Sequence, residues 1–215
     1  MKQLHHGILI AVEGIDGSGK STLALNIAKA LTMQSWQVLL TKEPGDTALG
    51  AHIRTILHDS SIPKNPKAEF LLFAADRAQH MSTVVLPALT RNKIVISDRM
   101  ADSSVVYQGY ARGLDIQMIK VINTWAMEER EPDIILYLQV SAEVAYQRVI
   151  ARNVSLTSFE QEPKEFFQKA VEGFDMLMKS KKNAFILDGT QKPEQLSSTA
   201  TEMILSWVQT NRLNQ

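Results

Sequence analysis

Five short apolar runs punctuate the chain: Ile8–Val12, Val38–Thr41, Lys93–Ser97, Ile134–Val140 and Ala184–Leu187. Their apolar residues are consecutive rather than alternate, as expected of strands buried on both faces. Segments of helical length separate them. Short doubly apolar strands alternating with helices predict an α/β fold, a five-stranded parallel sheet with helices on both faces. The turn-forming residues of Ser60–Pro66 mark a surface loop, and the polar stretch Asn153–Pro163 reads as irregular between two helical patterns. No linker, repeat or low-complexity tract divides the chain, so residues 1–215 are expected to form one domain. In such a sheet, ligands bind beyond the carboxyl ends of the strands, and the chemically suggestive residues fall there.

Composition narrows the classes. With 215 residues and 45% hydrophobic content, the chain is long enough to bury a sizeable core. Lys+Arg and Asp+Glu are equal at 23 each, so the basic field that non-specific nucleic-acid binding requires is missing. There is no cysteine, which excludes disulfides and thiolate metal sites. The apolar run at Ile8 is too short to span a membrane, no later stretch approaches that length, and a cytoplasmic protein is expected.

The first strand leads into Gly14-Ile15-Asp16-Gly17-Ser18-Gly19-Lys20-Ser21, a full G-x-x-x-x-G-K-[ST] phosphate-binding loop followed by a predicted helix, Ser21 to about Met33. The glycines let successive N–H groups converge on phosphate oxygens, and the helix N-terminus adds a favourable dipole. The expected ATP site is therefore Gly14, Ile15, Asp16, Gly17, Ser18, Gly19, Lys20, Ser21 and Thr22, with Lys20 on the β- and γ-phosphates and the Ser21 hydroxyl on Mg²⁺. A GTPase would also carry a D-x-x-G switch and an [NT]-K-x-D guanine motif. Here the only D-x-x-G is Asp16 to Gly19, inside the loop, and Thr41-Lys42-Glu43-Pro44 lacks the aspartate.

The third strand ends in Ser97-Asp98-Arg99. Asp98 can hold Mg²⁺ through water, and Arg99 can clamp a phosphate. Phe73 and Arg77 lie four apart on a predicted helix and share a face, as do Ser104 and Gln108 on the short helix expected over Asp102–Gly109. For Phe73, ordinary core packing remains an alternative to stacking on a ring, and Tyr107 can equally pack inward.

The ordered set of P-loop, E-P-G at Glu43–Gly45, L-L-F-A-A-D-R at Leu71–Arg77, Asp98-Arg99 and D-S-S-x-x-Y-Q-G at Asp102–Gly109 resembles the bacterial thymidylate kinases, from Ile8 to about Thr190. The resemblance implies a P-loop NTPase fold that phosphorylates dTMP to dTDP with ATP and Mg²⁺, supplying dTTP for DNA synthesis, and a homodimer with helices packed side by side. It implies that Phe73 stacks on thymine, Arg77 donates to its O4, and Ser104 and Gln108 bond the base edge. Tyr107 would crowd the sugar 2′ position, and Arg54 and Arg99 would bind the dTMP phosphate beside Glu43 and Pro44. Asp16 matches an acid implicated with Mg²⁺ or the acceptor sugar. Family members with an arginine after that acid deliver a cation from the P-loop; here the residue is Gly17.

Arg148 and Arg152, four apart, open the lid expected over about 148–163. Arg152 matches the lid arginine of members without a P-loop arginine, and Arg148 either reaches ATP or coats a solvated helix face. The family's following glycine and D-R-x-E are replaced: Asn153 through Glu160 retains only the acid, at Glu160 or Glu162. Lys42 and Met100 also depart from the usual residues. The catalytic set is thus Lys20, Arg99, Arg152 and Asp16. Three alternatives remain open at this point: a nucleotide-dependent ATPase switch, a P-loop kinase for another small acceptor, and a family member with an altered lid that binds nucleotide but catalyses poorly.

Overall fold

The structure is a computed structural model and describes residues 4–152 and 156–212; Asn153, Val154 and Ser155 of the expected lid lie outside the described residues. Strand β1 (Ile8–Glu13) is buried at every position. It lies at the centre of a five-stranded parallel sheet ordered β2-β3-β1-β4-β5, with β2 Val38–Lys42, β3 Ile94–Asp98, β4 Ile134–Gln139 and β5 Ala184–Asp188. The five apolar runs are these strands, with ends shifted by one residue. Register sets Val12 beside Asp98 and Asp98 beside Lys42, so the P-loop, Asp98-Arg99 and Glu43-Pro44 emerge together at the carboxyl edge.

Alternation along β1 feeds two cores. Ile8, Ile10 and Val12 pack with Leu23, Ile27 and Leu31 of α1 (Lys20–Met33) and Ala200 and Ile204 of α9 (Pro193–Arg212). Leu9 and Ala11 face the opposite side. That side holds α3 (Pro66–His80), α4 (Leu86–Thr90), α5 (Ala101–Ser104), α6 (Ile116–Ala126), α7 (Ala142–Ala151) and α8 (Lys164–Lys179), with α2 (Ala48–His58) packed on α3. Chain reversal on both sides of β1 puts a crevice at its carboxyl end, the usual ligand position in open α/β sheets.

Two local expectations are corrected. Pro66 is not loop but the first turn of α3, where a missing N–H and a fixed φ suit proline, and Asn65 caps it by accepting from Lys67 N. The short helix does not end at Gly109: α5 widens into a π segment, Val105–Ala111, and the chain reverses at Gly113, φ +78°. Gly109 instead admits Ile116, which would stand 2.9 Å from a Cβ there.

Candidate active site

The N-cap of α1 is Gly19, in the left-handed region at φ +103° and without a side chain to occupy the first N–H groups of the helix. Those groups and the helix dipole therefore face the cleft, a ready anion site. Lys20 folds back so that its Nζ donates to Ile15 O at 2.8 Å. Burial, with Arg99 behind it, pushes its ammonium down to about 8. The Ser21 hydroxyl donates to Asp98 Oδ2, so the two oxygens expected to share a divalent cation already meet.

A second cluster faces the P-loop. Arg99 sits at the end of β3 with φ +74°, a left-handed conformation rare for a residue with a long side chain. Its Nη1 donates to Gly14 O (3.0 Å) and Ser103 Oγ (2.9 Å), and its Nη2 to Asp16 Oδ1 (2.5 Å) and Tyr107 Oη (3.3 Å). Tyr107 Oη donates in turn to Asp16 Oδ2, 3.1 Å. Burial works to raise Asp16, but Arg99 and Lys20 overcome it and hold the carboxyl well below the usual range. Behind Ser103 lies Glu13, wholly buried, whose Oε1 accepts from Met100 N (2.8 Å) and Oε2 from Ser103 Oγ (2.6 Å). Burial and then Asp102 push Glu13 up to about 7.

The remaining acceptor residues divide into two kinds. Arg54 lines the cleft, with its Nη1 on Pro44 O at 2.8 Å, and Phe73 lines it half-buried. Arg77 also borders the cleft, yet it is 1% exposed and bonded throughout. Its Nε donates to Glu43 Oε2 (2.9 Å), Nη1 to Asn123 Oδ1 (2.7 Å) and Ser104 Oγ (3.3 Å), and Nη2 to Met100 O (3.2 Å) and Ser104 Oγ (3.3 Å). Gln108 Nε2 donates to Glu69 Oε1 at 3.0 Å. Arg77, Ser104 and Gln108 are thus held by protein partners, and a base edge would share their hydrogen bonds rather than meet free groups.

The lid arginines part company. Arg148 does not line the cleft; its Nη1 donates to Ser18 O (3.2 Å) and Gly189 O (2.9 Å), pinning α7 to the back of the P-loop. Arg152 lines the cleft and donates to Glu160 Oε1 at 3.1 Å. Glu160 Oε2 accepts from Thr157 N (2.9 Å) and Glu160 N donates to Thr157 Oγ1 (3.3 Å), a capping box that shapes the lid turn. The lid docks on the end of α2, where Ser158 Oγ donates to Leu57 O (2.7 Å) and Ser158 N to His58 O (3.4 Å). Gly17 explains the bare P-loop: with φ +85°, a Cβ there would lie 2.2 Å from Ala145 O of α7.

With the lid docked, these groups enclose a cleft of about 790 Å³ reaching from Lys20 and Ser21 to Phe73 and Gln108, in the upper part of the range of small-molecule sites. Among the lining residues that sequence reasoning did not select are His58 and Phe159. His58 follows Arg54 by one helical turn, a spacing that could have flagged it; burial and then Arg54 push its imidazole down. Phe159 enters from the lid.

The thymidylate kinase family model matches residues 12–200. The chain belongs to the thymidylate kinase family. It is 40% identical over 190 residues to thymidylate kinase of Carboxydothermus hydrogenoformans, covering 88% of this chain and 93% of that one. It is 45% identical over 142 residues to the Halothermothrix orenii thymidylate kinase, covering 66% and 69%. The crystal structure of thymidylate kinase from Ehrlichia chaffeensis superposes with a TM-score of 0.75 at 27% identity, covering 92% of this chain and 98% of that chain. Membership of the thymidylate kinase family makes the chain an ATP-dependent kinase and sets aside the ATPase switch considered above.

Proposed function

We propose a division of labour for the phosphorylation of dTMP to dTDP by ATP, the reaction of this family. The P-loop N–H groups and Lys20 hold the donor triphosphate. Ser21 and Asp98 would hold Mg²⁺, which supplies charge neutralisation at the phosphates when bound; the fit rests on their two oxygens already lying together. Arg54 and Arg99 hold the acceptor phosphate, Asp16 and Tyr107 orient Arg99, and Phe73 takes the thymine ring. The acceptor phosphate oxygen is itself the nucleophile, so no protein nucleophile is required. Arg152 neutralises charge developing on the transferring phosphoryl, with Glu160 fixing its guanidinium and the lid excluding water. Arg148 serves ATP indirectly, through the carbonyls it bonds. The whole chain acts as one kinase domain in the cytoplasm, with its lid over about 148–163.

The observation that carries this reading is the confrontation, inside one cleft, of Lys20 with the Arg54 and Arg99 pair beside a half-buried Phe73. ADP release is to be followed with ATP, Mg²⁺ and dTMP, dUMP, UMP, CMP, AMP or no acceptor. Fastest turnover is expected with dTMP, and turnover independent of acceptor would overturn the reading. Arg152→Ala should lower kcat by about 10³-fold while KM for dTMP changes little; retained kcat would remove Arg152 from the transfer step.

A second copy of the chain covers the faces of α3 and α6, which pack side by side and expose Leu71 (54%), Met118 (58%), Val121 (65%) and Trp125 (80%), more apolar surface than solvent-facing helices usually carry in one place. Trp125→Glu is expected to shift sedimentation from dimer to monomer.

A further inference from the structure

We infer that Asp76, which stands behind the cleft rather than in it, is a positioning residue for the acceptor phosphate: it fixes the two elements between which the Arg54 guanidinium is held. This role presupposes the reading above in which Arg54 binds that phosphate. Arg54 stands on α2, and its Nη1 donates to Pro44 O at 2.8 Å. Its stem lies over the next residue, since a Cβ on Gly45, at φ +113°, would come 2.7 Å from Arg54 Cδ. The place of the guanidinium is therefore set by how closely α2 and the Glu43–Gly45 turn approach each other.

Asp76 sets that approach. Its Oδ1 accepts from Gly45 N at 3.0 Å. The same oxygen lies against Gly50, one helical turn before Arg54, where a Cβ would stand 2.2 Å from it. That Cβ would also come 3.3 Å from Gly45 Cα, so the bare glycine lets the first turn of α2 close on the Gly45 backbone. The neighbouring side chains of α3 hold the turn itself. Arg77 and His80 take the two oxygens of Glu43, and His80 Nε2 meets Thr41 Oγ1 at 2.6 Å. Asp76 adds the link to α2.

Stability alone does not account for a carboxylate at this point. Asp76 is 1% exposed, and its Oδ2 has no hydrogen-bond partner among the described residues. Burial and then Glu43 push its carboxyl up to about 6. An unpartnered buried oxygen opposes folding. The other oxygen, by contrast, touches both elements that frame Arg54. Without it, Gly45 N loses its acceptor and α2 loses its stop, and the guanidinium is free to drift from the phosphate it has to meet.

The test measures Kd for dTMP and for thymidine, which differ only in the phosphate, by calorimetry on the full chain. The ratio of the thymidine Kd to the dTMP Kd reads the phosphate's share of binding. Asp76→Ala is expected to lower that ratio about tenfold, roughly one charge-assisted hydrogen bond, with thymidine affinity unchanged. Asp76→Asn, which retains an acceptor for Gly45 N, is expected to keep most of the ratio. Gly50→Ala, which crowds the same point from the α2 side with the carboxylate intact, is expected to lower it; where Asp76→Ala does not fold, Gly50→Ala decides by the same criterion. A ratio unchanged in Asp76→Ala, whether or not both affinities fall together, would overturn the inference and leave Asp76 a structural residue only. Arg54→Ala reads the underlying assignment separately. A ratio lowered by Arg54→Ala but not by Asp76→Ala removes the role of Asp76 alone, whereas a ratio that Arg54→Ala leaves unchanged removes Arg54 from the phosphate and the positioning role with it.

Discussion

Arg77 offers the sharpest separation between a ligand-binding side chain and a structural one. Its guanidinium and the Glu43 carboxylate are 2% and 3% exposed in their side chains, 2.9 Å apart, and Asn123, Ser104 and Met100 O take its remaining hydrogen bonds. Burial alone would raise Glu43, yet Arg77 and then His80 hold it below its ordinary value. Arg77→Met leaves this carboxylate desolvated, with His80 Nδ1 at 3.0 Å from its Oε1 but no guanidinium beside it. Breaking a buried pair from one side costs about 3–5 kcal/mol. For a chain of this length each kcal/mol moves Tm by roughly 2–4 °C, so the variant should melt on the order of 10 °C below the wild type. Thermal unfolding by circular dichroism, without nucleotide, measures this directly. Arg77→Met/Glu43→Gln should recover part of the loss, about 1–3 kcal/mol of coupling, because the orphaned charge is gone. Turnover with dTMP stays low in both variants, so kinetics alone cannot replace the melt. An Arg77→Met protein that melts within about 2 °C of the wild type would refute the structural role and leave Arg77 a ligand contact only.

Three further outcomes follow from the site. Lys20 is held down to about 8 by burial and Arg99, and bound triphosphate favours its charged form. ATP affinity should therefore fall as pH rises above 8, with proton uptake on binding in calorimetry; a flat affinity from pH 7.5 to 9.5, read against a Mg²⁺-saturated control, would count against it. Gly17→Ala sets a Cβ against Ala145 O at a φ of +85°, which should cost about 1–3 kcal/mol of stability and lower kcat through displacement of Arg152, the C-cap of α7, whereas wild-type melting and turnover would mean that α7 gives way freely. Glu13 is raised to about 7 by burial and then Asp102, so the folded state holds a proton that the unfolded state releases near its ordinary value. Stability from this group is present at low pH and is lost as pH rises toward 7, by at most about 3 kcal/mol. Glu13→Gln should flatten that slope in urea titrations, and an unchanged slope would assign it elsewhere.

The sheet was legible because its strands are apolar on both faces, a pattern no surface element shares, and the P-loop because its glycines have to satisfy a backbone requirement independent of the rest of the fold. Asp98 and Arg99 were legible through their place after a strand. The true partners of Arg77 and Gln108 were not, since helical spacing gives a shared face but says nothing of whether Glu43, Asn123 or Glu69 arrives from another element. The lid was partly legible: Thr157-x-x-Glu160 is a capping-box pattern in plain sequence, hidden by the absence of the family's Asp-Arg. The docking of Ser158 on α2 depends on carbonyls that no side-chain pattern records.

The close approach of α7 to Gly17 bears on where the cation can come from. An arginine at position 17 would have to push back the very helix that brings Arg152 to the cleft, because the Ala145 carbonyl stands where its Cβ would go. A bulky cation at position 17 and α7 in its present place, with Arg152 at its end, therefore compete for the same space in this backbone. Moving that charge to position 17 would require the α7 backbone to shift as well as a change of side chain.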